Sequence, residues 1–479
     1  MIKKNKYIIL IFLLVVLFRL FFVFQVDGFN GDSSYANLRQ VGHISENFTI
    51  MSYDELSFSG RDLFVAPLFY YFMAFLDFFL PAVFVFKVVP SLLIGGLVVL
   101  IYLIVREISG NEIAAFLSAL SAGFFPIFIE NTLNNVSVYS LFLIILFYLF
   151  YLFIKIYKDK GVVDEFVFFL FLLPLIHPSA IVFVITLIFY SILLFTEGVE
   201  FKKIEREVVM FSVFFIFLVS FILYKEAFLE YGVGLIRGIM LHVGGMDLVS
   251  LFVNIGVLPI FLGAFGIYYG LFKTKRKGVF LFSSFGLGVL TLLLFELIDL
   301  YVGMMFLGLS FIVLMGFALG RFFGYLKVTK LSKYRNAFVF LFLGLIVVLN
   351  IVPSYYSAVG VVENSFSLEE IEGVNLIDGV VMADVSEGNF LNYYGGGSVF
   401  DTNSLLIEDY EERASDVSSA FMTISKSVAE GVFEKYDVGY IYFSFRAKES
   451  YGVSELGYLD ECFERISRGE DFELYEVKC

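Results

Sequence analysis

A succession of long apolar runs is the feature of this sequence that most constrains its fold. The runs are about 17–25 residues long, which is the length that an α-helix needs to cross the hydrocarbon core of a bilayer. The chain of 479 residues is 59% hydrophobic and only 17% charged, whereas a soluble domain has about 25% charged residues. We therefore predict a polytopic α-helical membrane protein. The predicted spans are Tyr7–Val26, Ala82–Val105, Glu112–Ile129, Val136–Ile154, two short spans within Phe166–Phe195, Val208–Tyr224, Leu248–Phe272, Val279–Phe295, Tyr301–Gly320 and Asn336–Val352.

Basic residues between the spans predict the orientation of the chain. The basic clusters are Lys155–Lys160, Lys202–Arg206, Lys273–Lys277 and Arg321–Arg335. Two spans separate each cluster from the next, so all four lie on one side, which the positive-inside rule makes the cytoplasmic side. The count is consistent with a cytoplasmic N-terminus only if Leu63–Leu80 does not cross. We therefore expect about eleven crossings of the plasma membrane, with juxtamembrane helices in a large first outer loop and an extracytoplasmic C-terminus.

The last quarter of the chain has a different composition. Residues 1–353 form the predicted membrane module, and residues 354–479 form a predicted acidic, soluble domain. Short runs rich in β-branched and aromatic residues predict strands, and they alternate with helical segments, as in a small α/β domain. The predicted strands are Val380–Val385, Ser398–Asp401, Val438–Ser444 and Phe472–Val477, and the predicted helices are Glu408–Tyr436 and Ser454–Arg465.

Charge and cysteine content exclude two function classes. The net charge is −14, and nucleic-acid binding needs a basic surface that this chain lacks outside short loops. Two cysteines without a CxxC pair supply neither a zinc ribbon nor a disulfide scaffold.

Asp32 is the first candidate for chemistry. It opens the polar string GDSSYANLRQ directly after the first span, at the outer membrane interface. A carboxylate there is placed to take a proton from an acceptor group, and general-base catalysis contributes about 10²–10⁴-fold in rate. The alternative is a helix cap, because Asp is a favoured N-cap residue and Tyr35, Leu38 and Ile44 follow at helical spacing.

Several strings together resemble the GT-C glycosyltransferases, membrane enzymes that use sugars linked to polyprenyl phosphates. These are Asp32-x-x-Tyr35 with Arg39 after the first span, then SGRDLFVAPLFYYFMAFL, and NYYGGGSVFD and YDVGYIYFS near the C-terminus. The resemblance implies a catalytic Asp32. It also implies that Tyr35, Arg39, Arg61, Arg237 and His242 bind the substrate or the donor phosphate. Arg237 is equally well explained as a snorkelling interfacial residue, and His242 as an interfacial histidine. The oligosaccharyltransferase branch uses a Trp-Trp-Asp motif in its outer domain, and the chain contains no Trp, so we do not expect it to belong to that branch.

The resemblance also bears on metal binding. The family often has a second acidic residue in the loop after its Pro-containing span, and here that loop reads IENTLNNVSVY. Glu130 comes early, and Asn134, Asn135 and Ser137 stand where the acid is expected. Asp32 and Glu130 are the candidate ligands of a divalent cation, Mg²⁺ or Mn²⁺. Two carboxylates are a thin set for such an ion, so we assign no cofactor.

The function expected from these features is inverting glycosyl transfer on the outer face of the membrane. The donor would be a polyprenyl-phosphate-linked sugar, and the acceptor a glycan, lipid or protein. One alternative is a transporter or flippase, although the broken run at Pro174–Pro178 has no clear partner in a second repeat. Another is a non-catalytic membrane scaffold whose outer domain binds a partner.

Overall fold

The computed structural model describes residues 6–158, 161–231, 248–404 and 407–478. The helices up to Glu363 are α1 (Lys6–Val23), α2 (Asp32–Asn47), α3 (Leu68–Phe79), α4 (Val89–Ser109), α5 (Glu112–Gly123), α6 (Pro126–Thr132), α7 (Tyr139–Tyr157), α8 (Val163–Ile176), α9 (Ile181–Thr196), α10 (Lys203–Tyr231), α11 (Leu248–Ile255), α12 (Val257–Tyr268), α13 (Lys277–Leu294), α14 (Leu300–Val328), α15 (Arg335–Ile346) and α16 (Val352–Glu363). Turns of π-helix at Phe84–Val88, Tyr269–Thr274 and Val347–Ile351 lengthen α4, α12 and α15.

Nine helical segments within the described ranges are long and apolar enough to cross a membrane. The pair α5 and α6, bent by 52° at Phe124–Phe125, would make a tenth. This pattern is that of a multi-pass membrane protein. The predicted count of about eleven is not confirmed. The difference lies at α8, whose 14 residues span about 21 Å against about 30 Å of hydrocarbon.

The segment Leu63–Leu80 contains one short apolar helix. This helix, α3, has 12 residues and a length of about 18 Å, too short to cross the hydrocarbon core of a bilayer by itself. Its exposed aromatic side chains, Phe75, Phe78 and Phe79, suit the membrane interface, where aromatic residues are enriched.

Small residues allow the transmembrane helices to pack closely. A Cβ atom on Gly266 of α12 would lie 2.3 Å from the carbonyl oxygen of Leu314 in α14. A Cβ on Gly263 would lie 2.8 Å from the carbonyl oxygen of Phe311. Such contacts between backbones are typical of membrane helices, where close packing replaces the hydrophobic effect as the main source of association.

The terminal domain is built around one mixed sheet. Its strands are β3 (Val380–Met382), β4 (Gly397–Ser398), β5 (Val438–Ser444), β6 (Phe463–Arg468) and β7 (Phe472–Val477), and its helices are α17 (Leu368–Val374), α18 (Gly388–Tyr393), α19 (Tyr410–Met422), α20 (Lys426–Tyr436) and α21 (Phe445–Tyr451). The strand order is β4-β3-β5-β7-β6. Strands β4, β3 and β5 are parallel to one another, β7 is antiparallel to β5, and β6 is antiparallel to β7.

One helix prediction for this domain is wrong, and another is correct except for a break. Ser454–Arg465 is not a helix, since the chain is irregular up to Cys462 and then enters β6. Pairing of β6 with β7 overrides the local helical preference, as commonly happens at sheet positions. Glu408–Tyr436 is two helices, because Thr423 takes an extended conformation and ends α19.

A short hairpin from the first loop meets the edge of this sheet. Its strands are β1 (Tyr53–Asp54) and β2 (Arg61–Asp62), which pair antiparallel. Between them, the Leu56 carbonyl accepts the N–H of Ser398 in β4 over 2.8 Å, and the Phe58 N–H donates to the Ser398 carbonyl over 3.2 Å. The loop after α1 and the terminal domain therefore share one hydrogen-bonded edge.

Candidate active site

Asp32 begins α2 and lies buried between this helix and the terminal domain. Gly31 precedes it with a φ of 77°, a conformation that glycine adopts without strain. Asp32 is only 3% exposed. A carboxylate buried to this degree requires hydrogen-bonding partners.

Four hydrogen-bond donors surround the Asp32 carboxylate, and all of them belong to the terminal domain. Oδ1 accepts the backbone N–H of Phe390 over 2.9 Å. Oδ2 accepts the side-chain amide of Asn389 over 2.7 Å and the hydroxyl of Thr402 over 2.7 Å. It also accepts the backbone N–H of Thr402 over 3.4 Å. We call Asp32, Asn389, Phe390 and Thr402 the latch.

Asp32 does cap a helix, but the helix is α18 of the terminal domain. Gly31 occupies the N-cap position of α2, and Asp32 is the first residue of that helix. Its carboxylate binds the Phe390 N–H in the first turn of α18, one of the N–H groups that a helix start leaves without an internal partner. Asp32 therefore satisfies the start of a helix in the terminal domain and not that of its own helix.

Burial controls the protonation of Asp32. Burial, followed by the nearby charge of Asp401, raises the pKa of Asp32 to about 6, although the hydrogen bonds from Thr402 and Asn389 act in the opposite direction. A carboxylate with a pKa close to neutrality is suited to exchanging protons at physiological pH.

Asp401 is a second buried carboxylate at this junction. Its side chain has 0% exposure and lies 3.6 Å from Nη2 of Arg61. It also accepts the hydroxyl of Ser57 over 2.5 Å and the N–H of Asn403 over 2.7 Å. Burial raises the pKa of Asp401, and Arg61 acts against this rise. Because Arg61 also donates to the Asn403 carbonyl, its guanidinium ties the first loop to the terminal domain.

Arg39 holds the first loop to α2. Its two terminal nitrogens each donate to one oxygen of Asp54 over 2.7 Å, a bidentate geometry that only a guanidinium provides. Asp54 in turn accepts the N–H of Leu56 over 3.0 Å. In this structure the charge of Arg39 is therefore directed at the loop.

Tyr35 lies one turn after Asp32 on the same face of α2. Its hydroxyl accepts the N–H of Phe29 over 3.1 Å. Its ring packs edge-on against Phe366 and Phe390, at centroid distances of 5.2 and 5.1 Å. Phe366 and Phe390 are stacked on one another at 3.9 Å. The Asp-x-x-Tyr motif thus presents both of its side chains to the terminal domain.

Glu130 lies in α6 and is not part of the latch. One of its carboxylate oxygens accepts the hydroxyl of Ser357 over 2.8 Å. The following loop supports the start of α2, where Ser34 donates to the side chain of Asn135 over 3.0 Å.

Within the described ranges, no group of three or more His, Cys, Asp or Glu side chains is arranged to hold a metal ion. The oxygens of Asp32 are already taken by donors, so the residues present do not form a divalent-cation site in this conformation.

Arg237 and His242 lie outside the described residues. Of the remaining predicted site residues, the junction brings together Asp32, Tyr35 and Arg61, while Arg39 braces the loop beside them. Sequence reasoning missed Asn389, Asp401 and Thr402. Asp401 and Thr402 follow β4 in the string SVFDTN, and polar residues at a strand end are a usable signal, whereas nothing in the sequence singled out Asn389.

Comparisons with known proteins place this geometry in context. No protein-family model matches the sequence, and no curated protein matches it. Solved structures do match. The Archaeoglobus fulgidus oligosaccharyltransferase tethered to an acceptor peptide with the NVT sequon matches with a TM-score of 0.66 at 14% identity, over 93% of this chain and 70% of that one. The oligosaccharyltransferase AglB from the same organism, in complex with an inhibitory peptide and a dolichol-phosphate, matches with a TM-score of 0.64 at 15% identity, over the same shares.

The chain has the fold of archaeal oligosaccharyltransferase. The predicted resemblance to the GT-C glycosyltransferases is thereby confirmed for the fold. The missing Trp residues argued against the oligosaccharyltransferase branch, yet the fold is that of this branch, so the argument from Trp does not extend to the architecture. Another structure of the Archaeoglobus protein, in complex with Zn and sulfate, matches with a TM-score of 0.59 over 91% of this chain and 68% of that one.

Proposed function

We propose that this chain is a membrane glycosyltransferase that moves a sugar from a polyprenyl-phosphate-linked donor to an acceptor, with inversion at the anomeric carbon. One observation carries the proposal beyond the fold. Oδ2 of Asp32 binds an amide N–H and a hydroxyl at 2.7 Å each, and these are the groups that an acceptor offers for glycosylation.

In the proposed reaction, Asp32 orients the acceptor and takes its proton. The deprotonated nitrogen or oxygen attacks the anomeric carbon of the donor sugar, and the bond from that carbon to the phosphate oxygen breaks on the opposite face. The electron pair leaves with the polyprenyl phosphate. Burial raises the pKa of Asp32 to about 6 in the closed structure. A bound acceptor that covers the carboxylate again would keep this pKa raised, so that Asp32 is ionised at neutral pH and still basic enough to assist proton transfer in the transition state.

The basic residues take different parts in this proposal. Arg237, with His242 beside it in sequence, remains the proposed partner of the departing phosphate, since a guanidinium binds phosphate oxygens bidentately. Arg39 and Arg61 are paired with Asp54 and Asp401, so we assign them to holding the first loop in place around the acceptor. Tyr35 supports Asp32 through packing. Because the described residues contain no group of three or more side chains arranged to hold a metal ion, no step depends on one.

The proposed topology follows from the charges between the spans. It takes α8 and α9 as two crossings, because the basic segments before and after them lie together, with Lys202 donating to the Tyr157 carbonyl over 3.2 Å. The N-terminus is cytoplasmic, and residues 354–479 lie on the extracytoplasmic face of the plasma membrane as one domain above the membrane module of residues 1–353. Transfer then takes place outside, where the carrier lipid, the acceptor and the surrounding membrane lipids meet. The basic clusters on the opposite side support this orientation.

A second candidate function has support from the latch itself. Every oxygen of the Asp32 carboxylate is occupied, which is also what a non-catalytic relative would retain to hold its terminal domain in place. Such a protein would bind a partner through that domain. Transport has no comparable observation in its favour.

Sugar transfer in membranes tests the proposal. Membranes carrying the full chain would be supplied with radiolabelled polyprenyl-phosphate sugars, and transfer to protein, lipid and glycan fractions would be measured. Asp32→Asn should lower the rate by about 10²–10⁴-fold, the usual contribution of a general base. Asp62→Asn, an exposed carboxylate in the same loop, should leave the rate unchanged. Transfer by Asp32→Asn at the wild-type rate would remove Asp32 from the mechanism, and no transfer by any form would favour the non-catalytic candidate.

A further inference from the structure

The latch places two acceptor-like groups on the candidate base. Nδ2 of Asn389 and Oγ1 of Thr402 are each 2.7 Å from Oδ2 of Asp32 and 3.4 Å from one another. One group is a primary carboxamide and the other is a hydroxyl. Both are neutral donors, and an incoming acceptor would have to bind the same oxygen.

The segment that carries Asn389 is fixed by ion pairs within the terminal domain. Glu387 directly precedes α18 and is 3.3 Å from Nη1 of Arg446, which also lies 2.7 Å from Glu370. The terminal domain therefore presents residues 388–392 as a preformed surface. This surface meets Asp32 through hydrogen bonds alone, without an ion pair.

The remaining side chains of the junction close the space around Asp32. Tyr35 and Phe390 pack against one another on one side, and Arg61 with Asp401 ties down the hairpin side. With Asp32 only 3% exposed, an external acceptor cannot reach the carboxylate while the latch is closed.

We propose that Asn389 and Thr402 occupy the acceptor site of this chain, so that the structure is a self-inhibited state. The inference rests on the proposed function, and it names the acceptor as a molecule that presents a carboxamide or a hydroxyl. The acceptor enters by displacing the segments that carry Asn389 and Thr402 from Asp32. Displacing these segments breaks the hydrogen bonds of the latch, and a bound acceptor forms equivalent hydrogen bonds to Asp32.

Chemical labelling of Asp32 tests the occupancy independently of sugar transfer. The purified full chain is treated with a water-soluble carbodiimide and an amine, and modification of Asp32 is quantified by mass spectrometry. Asn389→Ala/Thr402→Ala removes both side-chain donors. Labelling of Asp32 should then increase by about tenfold or more, because bonds to a charged acceptor are among the stronger hydrogen bonds in proteins.

The matched control is Asn392→Ala. Asn392 is a buried residue of the same helix that accepts the N–H of Ser398 over 2.9 Å, and it is not one of the four donors to Asp32. Labelling of Asp32 should stay at the wild-type level in this variant. Equal increases in both variants would mean that α18 as a whole has loosened, which would overturn the proposal. If the double variant is not monodisperse, Asn389→Ala and Thr402→Ala are used singly, and unchanged labelling in both would also overturn it.

Sugar transfer by the same proteins completes the test. The double variant should transfer sugar faster than wild type when the acceptor is limiting. Slower transfer despite increased labelling would overturn self-inhibition, because it would assign Asn389 and Thr402 to the active state. Increased labelling with no transfer by any form would refute the proposed function while leaving the occupancy of Asp32 established.

Discussion

Two buried polar clusters involve the terminal domain, and they use opposite chemistry: one joins the domain to α2, and the other lies within the domain. At the first, Asp32 of α2 receives neutral donors from Asn389, Phe390 and Thr402. At the second, beyond the end of α16, Arg446 binds Glu370 and Glu387 and donates to the Asn364 carbonyl over 3.0 Å. The guanidinium also lies 4.1 Å above the ring of Phe366.

The difference indicates which of the two clusters can be opened by a substrate. Breaking a buried ion pair leaves charges without partners and is strongly unfavourable. Neutral donors on a carboxylate can instead be exchanged for those of another molecule at little net cost. The Arg446 cluster therefore stays closed and holds the terminal domain together behind α18, and the Asp32 junction is the one at which a substrate can compete.

Among the changes considered, Arg446→Ala should cause the largest loss of stability. It leaves Glu370 and Glu387 buried without their cation, and removal of one partner from a buried pair costs about 3–5 kcal/mol. Hydrogen exchange of the β3 and β5 amides would measure the loss in local stability. The control Arg465→Ala removes an exposed arginine 3.8 Å from Glu473 and should cost at most about 1 kcal/mol. Equal losses would show that the buried network does not stabilise the terminal domain.

The pH dependence of the latch should have the next largest effect. The pKa of Asp32 is about 6 in the closed state, above its ordinary value of 3.8, so the closed state binds the proton more tightly than the open one. Its stability should fall by about 2–3 kcal/mol as the pH rises from about 4 to about 6. Exchange of the Phe390 amide would report opening, and the slope should be absent in Asp32→Asn. A slope of the same size in that variant would assign the titration to another group.

Arg61→Ala tests how strongly the β1–β2 hairpin is held to the terminal domain. It removes the cation beside Asp401 and the donor to the Asn403 carbonyl, and bonds of this kind contribute about 1.5–3 kcal/mol. The uncompensated charge of Asp401 should also raise the pKa of Asp32 further. Protection of the β1–β2 amides would measure the first effect. Unchanged protection would show that the shared sheet edge alone holds the hairpin.

Tyr35→Phe should have the smallest effect. The ring contacts with Phe366 and Phe390 remain, and only the bond from the Phe29 N–H is lost, which costs about 0.5–1.5 kcal/mol. Sugar transfer should stay within a few-fold of wild type, since the hydroxyl only holds the ring in place through one hydrogen bond. A loss comparable to that of Asp32→Asn would give the Tyr35 hydroxyl a direct part in the reaction.

The sequence predicted the membrane module better than the junction, and the reason is the range of the interactions. Hydropathy is read within about 20 residues, so runs such as Tyr301–Gly320 lie within helices of the structure. Asp32 was also found locally, because it directly follows a span. Its partner Asn389 is 357 positions away, and no local pattern signals a contact of that separation.

The failures in the terminal domain have the same origin. Phe463–Arg468 is a strand because β7 pairs with it, and that pairing is not visible in the segment itself. Asp401 belongs to the site because Arg61, 340 positions earlier in the chain, lies beside it in the fold. The sequence therefore supplied the candidate base, whereas the groups that cover it follow only from the fold.

The most direct test of the account is the rate of sugar transfer by wild type, Asp32→Asn and Asn389→Ala/Thr402→Ala, assayed in parallel at equal abundance in the same membranes. We expect a rate about 10²–10⁴-fold below wild type for Asp32→Asn and a rate above wild type for the double variant. Equal rates for all three proteins would contradict it, because Asp32 would then be neither the base nor the group that the terminal domain covers.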